Sequence, residues 1–295
     1  MDIESPAVPR PSARNELVPK VWTDDVRGLR KELIDFRFMS MTKPSELARC
    51  LVNICDISDL GGKESNILDQ DDPIPEKWIA IGSGLTPIDC YIEQFLMQML
   101  LNEKSKCTIT SASGQQISCV LKLLRIEKSD LYFTKSPKEM LALAKTYKDN
   151  GVKMFPKYPL FAHRYFNRAA KCLLSCSPLE ELDPAQEGAD TISEMQTLLE
   201  VLYLNIAACL IKQNRYEEVL QILEYVDRQE KPSEKAVYRK ALAQFHVKKF
   251  AEAIETLAKI DYTSSKDCVI LHQRIKSSWQ QEDSQYNSMV KKMFG

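Results

Sequence analysis

The clearest order in the chain lies across residues 197–262, where apolar and polar positions return at a fixed step. Ala207 and Ala241 lie 34 residues apart, as do Asn205 and Arg239, Tyr216 and Phe250, and Leu223 and Leu257. Small residues (Ala207, Ala241, Ala253) fall where helices must approach closely, and large apolar ones fill the next layer. The step predicts stacked helical hairpins, and a single hairpin cannot bury its apolar face alone. Upstream, Phe161, Ala162, Tyr165, Phe166, Ala169 and Leu173 keep helical spacing within 157–176. Ser136 followed by Pro137 caps and starts a helix over 138–151. Residues 178–188 read as an acidic loop, and 266–294 as a long last helix that covers the open end of the stack.

The first half follows another rhythm. Residues 22–41 alternate charge with Leu29, Leu33, Ile34, Phe36 and Phe38, as a strand or short helix. LARCLVNICDI, within 46–57, is a β-prone run ended by Ser58-Asp-Leu-Gly-Gly. Residues 66–75 form an acidic, proline-bearing loop, and 78–81 a strand turned by Gly82 and Gly84. Ile92, Phe95, Leu96 and Met99 predict a short amphipathic helix. Strands over 103–110 and 117–126 flank a tight turn at 111–115. Strands wrapped round one helix make an α+β half-barrel. The expected division is a mobile tail over 1–20, with Pro6, Pro9, Pro11 and Pro19, then an α+β domain over 21–134 and an all-α domain over 135–295.

Composition narrows the function. At 295 residues the chain fits about two domains of roughly 150 residues each. Its net charge of −1 carries no basic excess, which argues against nucleic acid and against a membrane surface. No signal-like apolar core begins the chain, and no uninterrupted apolar run is long enough to span a bilayer. Nine scattered cysteines without CxxC spacing read as reduced thiols of the cytosol or nucleus. Cys172 and Cys176, with His163, fit two core cysteines on a helix better than a metal site.

Two stretches carry a resemblance. GSG followed by YIEQFLMQMLLNEKSKCTI is similar to the FKBP-type immunophilin signature, matching it at Glu93, Leu96, Met99, Glu103 and Lys104. ISCVLKLLRIE resembles that family's last strand. LYLNIAACLIKQNRYEEVLQILEYV and SEKAVYRKALAQFHVKKFAEAIETLAKI resemble the tetratricopeptide (TPR) array of the large FKBP co-chaperones, and QYNSMVKKMFG their final helix. The implied fold is a degenerate FKBP-like half-barrel, then a three-repeat TPR array with a capping helix.

The isomerase pocket implied by the resemblance is damaged. The family's tryptophan floor falls on Ile92 and the glycine before it on Tyr91. A Leu-Thr-Pro-Ile-Asp-Cys segment, 85–90, replaces a Val-Ile pair, no Phe-Asp-x-Ser strand occurs near 55–69, and the covering loop is cut to about six residues between Thr110 and Ile117. A pocket without aromatic walls loses contact with proline and the water exclusion that favours twisting. The expectation is no isomerase activity, no macrolide binding and no cofactor or metal.

The array implies a clamp for the C-terminal carboxylates of heat-shock chaperones, which end Met-Glu-Glu-Val-Asp. Two carboxylates need cations and an amide donor held close. The family's clamp positions fall on Lys148, Asn205, Lys235 and Arg239, while its remaining asparagine is replaced by Val152. Losing that donor removes ~1.5–3 kcal/mol, enough to turn a micromolar site into one near millimolar. Pro156 and Pro159 crowd the turn of the first helix pair, and Pro156 is expected to shorten its first helix.

The implied role is a non-catalytic scaffold or co-chaperone-like adaptor of the cytoplasm or nucleus. Its nearest likeness, an immunophilin-like clock protein, implies a casein kinase I family client. A plain chaperone cofactor and a weak prolyl isomerase remain open. The aromatic row Phe155, Tyr158, Phe161, Tyr165 and Phe166 reads as core or as a dimer surface, so the chain is a monomer or weak dimer. Met289, Lys291, Lys292 and Met293 read as a cap or a calmodulin-type target. Asp69, Asp71 and Asp72 lack a calcium loop, and His163, His246 and His272 stand in no catalytic motif.

Overall fold

A computed structural model describes residues 19–36, 41–68, 72–127, 134–176, 178–225 and 231–294. Phe38, Asp69, Asp71 and most of the expected N-terminal tail lie outside them. The chain divides into two compact units, Met1–Lys135 and Ser136–Gly295.

The first unit is a six-stranded antiparallel sheet in the order β1-β2-β5-β6-β3-β4. The strands are β1 Val21–Asp24, β2 Leu29–Phe36, β3 Arg49–Cys55, β4 Ile74–Ala80, β5 Glu103–Thr110 and β6 Gln116–Glu127. Alternation puts Cys50, Val52 and Ile54 of β3 and Ile117, Cys119, Leu121 and Leu123 of β6 on one buried face. Helix α1, Pro87–Gln98, closes that face with Ile88, Ile92, Phe95 and Leu96. Its start precedes the first periodic residue because the Thr86 side chain caps Asp89 N and Pro87 sits in the first turn.

Two expectations needed correction. The region expected as one strand or short helix is a hairpin, in which Gly28 takes φ 66° at the turn between β1 and β2. Its charged alternation hid the reversal. Strand β4 begins at Ile74, not Trp78, because Ile74 pairs with Ile54 in the buried layer.

Three buried acids fasten the unit. Glu93 on α1 accepts from the backbone of Gly82, Ser83 and Gly84 at 2.9, 2.8 and 2.6 Å. Asp89, one turn earlier, accepts from Ser65 Oγ, Ile67 N and Asn66 N at 2.6, 3.1 and 3.2 Å. Glu103 accepts from Lys31, Ser105 Oγ and Leu100 N. Each carboxylate meets several donors, the condition for burying a charge.

The second unit is helical. Helices α2 (Pro137–Met154) and α3 (Pro159–Leu174) form the first hairpin. The second is α4 (Ala189–Lys212) with α5 (Tyr216–Ile222), the third α6 (Glu234–His246) with α7 (Phe250–Leu257), and α8 (Lys266–Phe294) follows. Ser136 and Glu139 make a capping box on α2. The acidic stretch 178–188 holds a 3₁₀ turn and a helical turn, Pro184–Glu187, capped by Asp183. Ala207, Ala241 and Ala253 are fully buried at the helix contacts. By length and composition α4 could cross a membrane, but Met195, Leu202, Ala207 and Cys209 pack into the array.

Candidate functional site

The first candidate is the space between α1 and the sheet. Ile92 is 0% exposed and belongs to the central cluster with Val52, Phe95 and Leu121. Tyr91 is half-buried and packs on the edge of that cluster. Trp22 meets Phe95 edge to face, centroids 6.2 Å apart. A pocket floor must offer surface to its ligand, and Ile92 offers none. The hairpin between β5 and β6 turns within Ser111–Gln115, with Ser111 N donating to Gln115 O at 2.9 Å. It extends no flap. Trp78 stands on the sheet's other face, beneath Arg49 at 5.0 Å and Arg125 at 6.0 Å.

The second candidate is the cation set of the array. Arg239 is half-buried on α6, and its Nη1 donates to the Leu204 carbonyl of α4 at 2.7 Å. Asn205, the next residue on α4, is half-buried. Lys235 lies one turn before Arg239 on α6 and is exposed. Lys148, on α2, is turned to its own neighbour, pairing with Asp149 at 2.8 Å. Arg239 thus ties α6 to the backbone of α4 one residue before Asn205, while Lys148 is engaged by its neighbouring acid. Val152 is exposed two residues short of the end of α2.

Burial lowers the Arg239 pKa, with Cys209 and Tyr225 pulling the other way. Tyr225 is pushed up to about 12, first by burial and then by Glu200, and burial raises Tyr203. Their rings lie 5.7 Å apart. The guanidinium is therefore partly dehydrated and close to the Tyr225 phenol, a setting that strengthens its pull on an anion. One of its five donors is spent on Leu204.

Sequence reasoning missed Tyr203, Tyr225 and the Leu204 carbonyl, since aromatics at helical spacing read as core. It also missed Asp89, which lies in the segment read only as a departure. The aromatic row is core where it matters: Phe161, Tyr165 and Phe166 are buried. Cys172 is buried in the same hairpin, and Cys176 Sγ contacts its carbonyl at 3.7 Å.

A half-barrel around one helix, followed by stacked helical hairpins, is the architecture of an FKBP–TPR immunophilin. Family models agree in detail: "BDBT FKBP like N-terminal" matches residues 22–128 and "Bride of doubletime-like, TPR domain" matches 136–221. Protein Bride of doubletime of Drosophila melanogaster is 34% identical over 278 residues, covering 92% of this chain and 97% of that protein. The chain belongs to the Bride of doubletime family. Among solved structures, residues 1–211 of CG17282 match with TM-score 0.60 and 34% identity, over 68% of this chain and 96% of that one. An adaptor role follows from this membership and from the two domain types.

Proposed function

We propose that the protein is a non-catalytic scaffold whose array grips the acidic C-terminus of a partner while the chain as a whole supports a client kinase. One observation supports it above the rest: Ile92 is sealed where a prolyl pocket would have to open. With that position sealed, the first unit lacks the floor that would exclude water around a twisted imide. The groove keeps an exposed lysine and a charged, half-buried arginine, the groups a terminal carboxylate pair requires. The client we assign is a circadian casein kinase I family kinase, Doubletime, as the relative's name suggests. Nine free cysteines, six of them buried, suit the cytosol or nucleus.

Purified kinase titrated with the full chain tests the client. Saturable binding and faster phosphorylation of a clock-protein substrate are expected. Absence of binding removes the kinase. The surviving reading would be a chaperone cofactor without a kinase role, which Asn205, Lys235 and Arg239 favour by their positions.

A further inference from the structure

The sheet of the first unit packs one face on α1, and its other face carries cations along its two central strands. Lys104 and Lys106 of β5 and Lys122 and Arg125 of β6 point away from the core, since Ser105, Cys107, Leu121 and Leu123 between them are buried. Lys104 and Lys122 are direct partners across the two strands. Like charges set opposite each other repel, and an anion seated between them removes that cost. On β3 the partner of Lys122 is Asn53 and that of Arg125 is Leu51, so neither cation faces an acid there. Acids stand at the margins of the face: Glu32 and Asp35 on β2, across from Lys106 and Lys104, Glu76 on β4, and Glu127 at the end of β6. Arg30 takes Glu32 at 2.9 Å and Arg49 takes Glu127 at 3.2 Å. Among the described residues Lys122 and Arg125 enter no ion pair.

Trp78 gives this patch its shape. It pairs with Leu51 and is 40% exposed. Arg49 lies over its ring at 5.0 Å, and Arg125 reaches across Leu51 to it at 6.0 Å. A guanidinium resting on an indole is steadied there and keeps its N–H fork for an oxyanion. A ring so covered makes a poor platform for a nucleobase, which needs an open π-face. Arg125 and the Lys104–Lys122 pair occupy successive rows of the same face, opposite Leu51 and Asn53. A carboxylate would bring them one negative charge. A phosphate monoester brings nearly two, with three acceptor oxygens. We infer that this outer face docks a segment of a partner protein that carries a phosphorylated serine or threonine. Lys104 and Lys122 flank the phosphate, and Arg125 donates to it from its seat on Trp78. The inference concerns the first unit alone and stands whether or not the array binds carboxylates.

Fluorescence anisotropy of a labelled alanine–glycine peptide with one central phosphoserine, titrated with the full chain to millimolar concentration, tests the docking. Saturable binding is expected, ~10-fold or more tighter than for the same peptide with glutamate at that place. The peptide with unmodified serine should not bind. Lys122→Glu and Arg125→Gln should each weaken binding by ~10-fold or more, the scale of a hydrogen bond to a charged group. Lys235→Glu, on the array, should leave it unchanged. Unchanged circular dichroism verifies the fold of each variant. Absence of saturation overturns the inference, as does equal binding of the serine or glutamate peptide. Binding that survives Lys122→Glu and Arg125→Gln, or that is lost with Lys235→Glu, places the phosphate elsewhere and overturns it equally. Tighter binding of a labelled oligouridylate than of the phosphopeptide gives the face to nucleic acid instead.

Discussion

Gly151 is where the first hairpin closes, and replacing it tests that packing directly. A Cβ built there meets Phe166 Cε1 at 2.5 Å, Cδ1 at 2.8 Å and Cζ at 2.9 Å. Ordinary carbon contacts lie near 3.5–4.0 Å, so the ring must retreat by about 1 Å. Phe166 is 2% exposed and has nowhere to go. Overpacking of this kind costs ~1–3 kcal/mol. Alanine also gains about 1 kcal/mol over glycine in a helix interior, so the two effects oppose each other. The net expectation for Gly151→Ala is a loss of ~1 kcal/mol. Phe166→Leu in that background should be less costly than in the parent, with a coupling of about 1–2 kcal/mol. Urea unfolding followed by helical circular dichroism is the assay, since α1 is the single described helix outside the second unit. A Gly151→Ala chain as stable as the parent, or additive with Phe166→Leu, would refute the close contact of α2 and α3.

Other consequences can be checked alongside. Glu93→Gln should destabilise the first unit by ~3 kcal/mol, because an amide cannot accept from all three N–H groups of Gly82, Ser83 and Gly84; an unchanged urea midpoint speaks against that account. Ile92→Trp should cost ~1–3 kcal/mol without conferring isomerase activity, since the site is packed rather than open. A prolyl-peptide assay should find both parent and variant at the buffer rate, and turnover well above it contradicts the sealed pocket. Burial, then Arg215, lowers the His163 pKa. A lowered histidine adds stability above its unfolded pKa of about 6.5, lost as pH falls through the folded value. The array should therefore weaken on acidification, and His163→Gln should flatten the slope; a stability that rises on acidification has the wrong sign.

Much of the architecture was legible because burial writes its period into the chain. The step of 34 residues from Ala207 to Ala241 marks a real contact surface, and both alanines are sealed. The FKBP-like helix was legible at Ile92, Phe95, Leu96 and Met99 for the same reason. The β1–β2 hairpin was not, since its reversal rests on Gly28 among charges with no turn cluster. Asp89 was illegible as a fastener because its acceptor role depends on where residues 65–67 are brought by the fold. The polar positions in register could be read from the chain, not the contacts they make. Sequence could place Lys148 with the others, but not foresee that Asp149 would engage it or that Arg239 would reach Leu204.

We propose that this chain grips carboxylates rather than turning prolines. The most direct measurement is an NMR titration with a Glu-Glu-Val-Asp peptide, using parent, Lys235→Glu and Val152→Asn. Lys235 is exposed, so its reversal leaves the fold intact. The account predicts parent binding near millimolar, loss with Lys235→Glu, and a gain of about 10- to 100-fold when Val152→Asn restores a donor. Binding unaffected by Lys235→Glu, or absent even with Val152→Asn, would contradict it.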